Sequence, residues 1–135
     1  MFRRFHAAAL VMGLGGLGVL AATAAAHHSF AVYFDPQREV SVEGVVTSFR
    51  FTNPHGLVVI DVTNAAGEKH SWRAETNAPV VLQRRGWTRT SLRAGQRITL
   101  KGWGARDGSR YMRLREARDA QGRVIGSAPF EQNDG

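Results

Sequence analysis

In REVSVEGVVTSFRF, residues 38–51, apolar and polar side chains alternate around a single internal glycine. Alternation of period two marks a strand with one buried face. Val40, Val42 and Val46 share that face, with Gly44 between them. A glycine inside a strand points to a bulge or a sharp bend. Beyond it the phase shifts, and Phe49 and Phe51 become the apolar positions. A long first strand that bends is what a small sheet needs to turn a corner and close into a barrel.

The rest of the chain repeats this grammar in shorter pieces. TNPHG (52–56) is a turn opened by Asn53-Pro54, closed by Gly56, with His55 at its tip. LVVIDVT (57–63) is a second strand and HSWRAE (70–75) a third, joined by a hairpin loop that carries Gly67. In the third, His70, Trp72 and Ala74 share one face, and Ser71, Arg73 and Glu75 share the other. TNAPVVLQRRGW (76–87) changes period. Thr76 or Asn77 is placed to cap, Pro79 suits a first helical turn, Gly86 suits a left-handed stop, and Trp87 can pack back. A helix of about two turns is predicted there. Ile98 and Leu100 alternate in a fourth strand within 91–106, and Met112 and Leu114 face inward in a fifth over 110–119. RVIG, from Arg123, returns as a short edge.

The predicted class is therefore mainly β. Five strands with one short helix between the third and fourth is the order of an OB-fold, a small Greek-key barrel. This barrel domain spans 38–127. An N-terminal arm over 27–37 packs on it through Phe30, Val32, Tyr33 and Phe34 and ends at an Asp35-Pro36 turn. The tail over 128–135 reads as polar and loose.

Residues 1–26 are of another kind. They hold no acid, two early arginines (Arg3, Arg4), an uncharged apolar run from Ala7 to Leu20, and the small residues Ala22-Thr23-Ala24-Ala25-Ala26. That is the pattern of a secretory signal peptide. The apolar run is short and rich in Gly and Ala for a membrane span, so no stable anchor is expected after cleavage. A cut after Ala26 starts the mature chain at His27-His28-Ser29; a cut after Ala24 places histidine third. Cleavage removes two arginines and no acid, taking the formal charge from +7 to +5. The mature chain is long enough for one domain and not for two. With no cysteine it has no disulfide, no lipoprotein anchor, no thiolate metal site and no cysteine nucleophile. The expected location is the periplasm or the exterior.

HHSFAVYFD after the signal, GVVTSFRFTNPHG, Trp72-Arg-Ala-Glu75, Leu82-Gln-Arg-Arg-Gly-Trp87, Leu92-Arg-Ala-Gly95 and Gly102-Trp-Gly-Ala-Arg-Asp-Gly108 together resemble the DUF6152 family of exported bacterial proteins. The resemblance covers nearly the whole mature chain. It implies an exported small β domain in which the His-His-Ser-Phe start and the Asn-Pro-His turn are signature segments. It implies no activity. The chain departs from the pattern at Gly56 and Leu57, where relatives place larger or aromatic residues.

Four histidines follow residue 26: His27, His28, His55 and His70. An exported chain without cysteine binds transition metals chiefly through imidazole and carboxylate. At a new N-terminus, His27 has an α-amine whose ordinary pKa of about 8 lets a metal displace its proton readily. That amine and Nδ1 of the same residue chelate together, and a second imidazole completes a T-shaped set of three nitrogens. This set suits Cu(II), which prefers tetragonal nitrogen coordination. His55 is the first choice of partner, with His28 and then His70 as substitutes. If the cut follows Ala24, the amine, two amide nitrogens and the His27 imidazole form a different Cu(II) or Ni(II) site. The alternative is structural: histidines packing beside Phe30, capping carbonyls in the turn, or satisfied on a strand beside Trp72.

No Gly-x-Ser-x-Gly frames Ser29 or Ser71, and Glu43, Asp61 and Glu75 are dispersed over different strands. The residues read as a binding protein rather than an enzyme. Nucleic acid is a poor candidate, since export makes it scarce and Phe51, Trp103 and Tyr111 serve equally well in a core. The expected function is that of a small binding or accessory protein of the cell envelope, with copper as its cofactor. The rival is a metal-free module for an envelope protein or an anionic glycan.

Overall fold

The computed structural model describes residues 30–127, 129–132 and 134. The expected signal segment and both N-terminal histidines, His27 and His28, lie outside the described residues. The chain is mainly β. Its elements run α1 (Phe30–Tyr33), β1 (Phe34–Arg50), β2 (Leu57–Thr63), β3 (Lys69–Glu75), α2 (Pro79–Arg84), β4 (Arg97–Ala105) and β5 (Tyr111–Asp119). The strands pair in the order β1-β2-β3-β5-β4, and β4 returns to β1, so the sheet closes. All pairings are antiparallel except β3 with β5. No helix among the described residues is long and apolar enough to cross a membrane.

Closure depends on the length of β1. Glu39 to Val45 ladder to β4, and Val45 to Arg50 ladder to β2. Val45 is where the strand passes from one neighbour to the other. A Cβ on Gly44, one residue earlier, would collide with the carbonyl of Asp61 on β2. The glycine therefore serves close backbone approach at the corner. Of the bulge or sharp bend expected at Gly44, the bulge lies farther on, between Val46 and Ser48. It explains the phase change: Val46 is buried, and after one extra residue Phe49 and Phe51 take the core-facing positions.

A second irregularity in β1 separates Phe34, opposite Ala105, from Glu39, opposite Trp103. Asp35 Oδ1 accepts from the Gln37 N–H at 3.0 Å, and Pro36 has no N–H to give to a ladder. The Asp35-Pro36 turn is thus a kink inside β1. The strand starts at Phe34, ahead of the Arg38 expected, and the described part of the 27–37 arm is one helical turn and the first residues of β1.

The predicted helix is shorter than 76–87, at Pro79–Arg84, with Ala78 as its N-cap and no side-chain cap. Thr76 and Asn77, the expected caps, are fully buried instead, and Thr76 Oγ1 donates to the Asn77 carbonyl at 3.0 Å. Gly86 takes φ +79°, as a left-handed stop requires. The Trp87 N–H donates to the Leu82 carbonyl at 3.0 Å, and its buried ring lies 5.9 Å from that of Phe49. Met112 and Leu114 are fully buried in the core, on the face read from the sequence. RVIG contributes one isolated bridge, Arg118 to Val124.

The expectation of a loose tail fails at Phe130. Its ring is 2% exposed and lies 6.2 Å from Trp87. Its N–H donates to the Arg115 carbonyl at 2.8 Å, and Asp134 pairs with Arg85 at 2.7 Å. Burying a phenylalanine contributes about 1.5–3 kcal/mol, which opposes the entropy of ordering the residues beside it. The packed domain therefore continues past residue 127.

Candidate functional site

His55 leaves the β1–β2 loop at one end of the sheet. Two backbone bonds pin this loop: the Thr76 N–H to the Gly56 carbonyl at 2.9 Å, and the Gly56 N–H to the Asn77 carbonyl at 3.3 Å. A Cβ on Gly56 would stand 2.5 Å from Thr76 Oγ1 and 2.8 Å from the Arg50 carbonyl. Only glycine allows this approach. Leu57 then pairs with Glu75 at the end of β3, and His55, two residues earlier, comes alongside the same carboxylate.

Glu75 accepts two hydrogen bonds and has an imidazole nitrogen at ion-pair distance. His55 Nδ1 lies 2.7 Å and Arg113 Nη1 3.0 Å from Oε1, and Tyr111 Oη donates to Oε2 at 2.5 Å. The parallel pairing of β3 with β5 produces this arrangement, since it sets Arg73 against Tyr111 and Glu75 against Arg113. Arg113 is only 7% exposed and also donates to the Thr76 carbonyl at 2.8 Å. Burial lowers its pKa, and the Glu75 carboxylate opposes that shift. Tyr111 is pushed well above the ordinary phenol range, first by burial and then by the adjacent Glu75 carboxylate. The Arg73 guanidinium sits 5.0 Å above the Tyr111 ring.

An aromatic cluster joins this site to the start of the described chain. Phe30 packs edge-on against Trp103 at 5.2 Å and lies 5.7 Å from Phe34. Phe34 lies 5.3 Å from Tyr111.

Of the predicted ligands, His55 joins this cluster and His70 does not. His70 pairs with Val62 near the other end of β3, five residues from Glu75, or about 17 Å along a strand. Its Nε2 stands 3.7 Å from Glu68 Oε2 and 3.4 Å from Asn64 Nδ2. His27 and His28 lie outside the described residues. Among the described residues, no three His, Asp or Glu side chains gather to hold a metal.

Glu75, Tyr111 and Arg113 were not expected as site residues. Glu75 was visible on the outward face of β3, but nothing local shows which strand lies beside it. A period-two pair of polar side chains, Tyr111 and Arg113, on a strand whose other face is Met112 and Leu114 was the available signal.

A protein-family model matches residues 16–113. The chain belongs to the DUF6152 family. The family is described as one of unknown function. The matched span contains the whole His55–Glu75–Tyr111–Arg113 cluster and the His27-His28 pair, and it stops short of Phe130. No curated protein matches the chain significantly.

Proposed function

We propose that this DUF6152 chain is an exported small binding protein of the bacterial cell envelope that holds copper through His27 and His55. Signal cleavage after Ala26 would free the His27 amine, which chelates together with Nδ1 of that residue, and His55 adds the third nitrogen. The observation that carries the reading is the packing of Phe30. Its ring stands on Trp103 and Phe34, Phe34 stands on Tyr111, and Tyr111 is bonded to the carboxylate that holds His55. His27 is three residues before that anchor, and three residues of chain reach about 10 Å. The cyclic strand order, with a helix between β3 and β4, supports an OB-type barrel. Fold alone does not supply the function.

The test is a Cu(II) titration of the exported, naturally cleaved protein, read by EPR, with the N-terminal mass checked on the same sample. One tight nitrogen-ligated site is expected. It should be lost when a methionine precedes His27 and weakened by His55→Ala. No site, or a site indifferent to the added methionine, overturns the copper reading.

One observation favours a second reading, a metal-free module for an envelope protein or an anionic glycan. Arg73, stacked on Tyr111, and Arg50 and Arg110 are exposed and form no ion pair with the described residues. A cation left open over an aromatic ring suits an anionic ligand. Retention on an acidic glycan resin, lost in Arg73→Ala and insensitive to copper, would support it.

A further inference from the structure

We infer that Glu75 is the positioning residue of this site: it holds His55 as the Nδ1–H tautomer, so that Nε2 is the nitrogen offered to a metal. The inference deepens the reading of His55 as a ligand and rests on it for its functional meaning, though its geometry stands without a metal.

A neutral imidazole carries one proton, and the nitrogen that keeps it cannot coordinate. His55 Nδ1 is 2.7 Å from Glu75 Oε1. The donors to Glu75, Arg113 Nη1 on Oε1 and Tyr111 Oη on Oε2, occupy it as an acceptor on both oxygens. A nitrogen held 2.7 Å from an accepting carboxylate oxygen is the one on which the carboxylate's negative charge favours the proton, which leaves the lone pair of a neutral His55 on Nε2. Among the described residues, nothing is hydrogen-bonded to Nε2.

The carboxylate is itself held in place. Arg113 is buried and fastened to the Thr76 carbonyl. Tyr111 is packed against Phe34 on one side and covered by Arg73. Thr76 in turn binds the Gly56 carbonyl next to His55. Loop, strand ends and carboxylate thus form one connected frame, and the imidazole is oriented before any ligand arrives. A carboxylate behind a ligating histidine fixes its tautomer and raises its basicity, and losing such a partner typically weakens metal binding about 10- to 100-fold.

The experiment is a long-range 15N–1H correlation spectrum of the metal-free cleaved protein, under alkaline conditions in which a free imidazole is neutral. Wild type should show His55 protonated at Nδ1 with Nε2 bare. Glu75→Gln should move it toward the Nε2–H form, and in the same samples Cu(II) affinity should fall about 10- to 100-fold. Glu43→Gln, which removes an exposed carboxylate paired among the described residues only with Arg97, should change neither. Finding wild-type His55 in the Nε2–H form overturns the inference, as does a Glu75→Gln protein whose tautomer is unaltered. The wild-type spectrum decides the matter even if the variant fails to fold. A His55 found as Nδ1–H in a protein that binds no Cu(II) sinks the copper reading and leaves the positioning by Glu75 standing.

Discussion

Tyr111 Oη donates to Glu75 Oε2 across 2.5 Å, joining residues 36 positions apart in the chain that lie on parallel neighbouring strands. The raised pKa of Tyr111 makes this bond a source of pH dependence. The folded state keeps the phenol proton above the pH at which an unfolded tyrosine, with a pKa of about 10, has lost it. The stabilisation is fully present below about pH 10 and is lost as pH rises toward the folded value. The melting temperature should therefore fall above pH 10, and Tyr111→Phe should flatten that fall while costing about 1 kcal/mol at neutral pH. In a Tyr33→Phe background, phenolate absorbance should show Tyr111 titrating later than free tyrosine. Titration at the free value would refute the account.

Removing Glu75 should destabilise the protein more than removing the Tyr111 hydroxyl. Glu75→Ala leaves Arg113, 7% exposed, as a buried charge without its carboxylate, a change that costs about 3–5 kcal/mol in comparable sites. Pairing Glu75→Ala with Arg113→Met should recover most of that loss, because the uncompensated charge goes too. Urea unfolding of the four proteins measures the cycle. Additive effects would show that the pair does not act as a unit.

Gly44→Ala should cost about 1–3 kcal/mol, the usual range for overpacking. The added methyl meets the Asp61 carbonyl and Val62 Cγ2, where β2 crosses the corner of β1. An equivalent change at Gly67, whose Cβ would meet nothing within 4 Å but whose φ is +81°, tests backbone strain without a clash. Thermal melts of both variants separate the two effects. An unchanged melting temperature for Gly44→Ala would remove the steric reason for that glycine.

Deleting residues 128–135 should expose Trp87 and lower stability by about 3–5 kcal/mol, the range for losing a buried phenylalanine. The readout is a red shift of tryptophan emission together with a lower urea midpoint. Phe130→Ala in the full chain should reproduce most of both. If truncation leaves the emission and the midpoint alone, the tail does not belong to the core.

The legible part of this protein was what neighbouring residues decide among themselves. Val40, Val42 and Val46 alternate, so β1 could be read as a strand; Leu57–Thr63 was bounded correctly because turn residues close it on both sides. Gly86 and Trp87 announced the end of α2 because a left-handed residue and its packing partner are adjacent. Misreadings arose where a distant partner overrode local chemistry. Asp35-Pro36 looks like a boundary, yet β4 pairs on both sides of it. Thr76 and Asn77 look like caps, yet both are fully buried and their backbones bond to Gly56 of the distant β1–β2 loop. The polar-looking tail hid Phe130, whose place is set by Trp87, more than forty residues earlier.

The candidate site divides along the same line. His55 was singled out by residue type and by its turn, both local properties. Its carboxylate partner was not, because Glu75, Tyr111 and Arg113 meet only through the parallel pairing of β3 with β5, a contact made across α2 and β4. The sequence by itself determined the strands, their buried faces and the turn histidine, since backbone sterics and side-chain alternation act over a few residues. Only the tertiary structure decided which strands are neighbours, and so which polar side chains share a carboxylate. That choice rests on long-range pairing and core closure, for which no short stretch of chain carries the information.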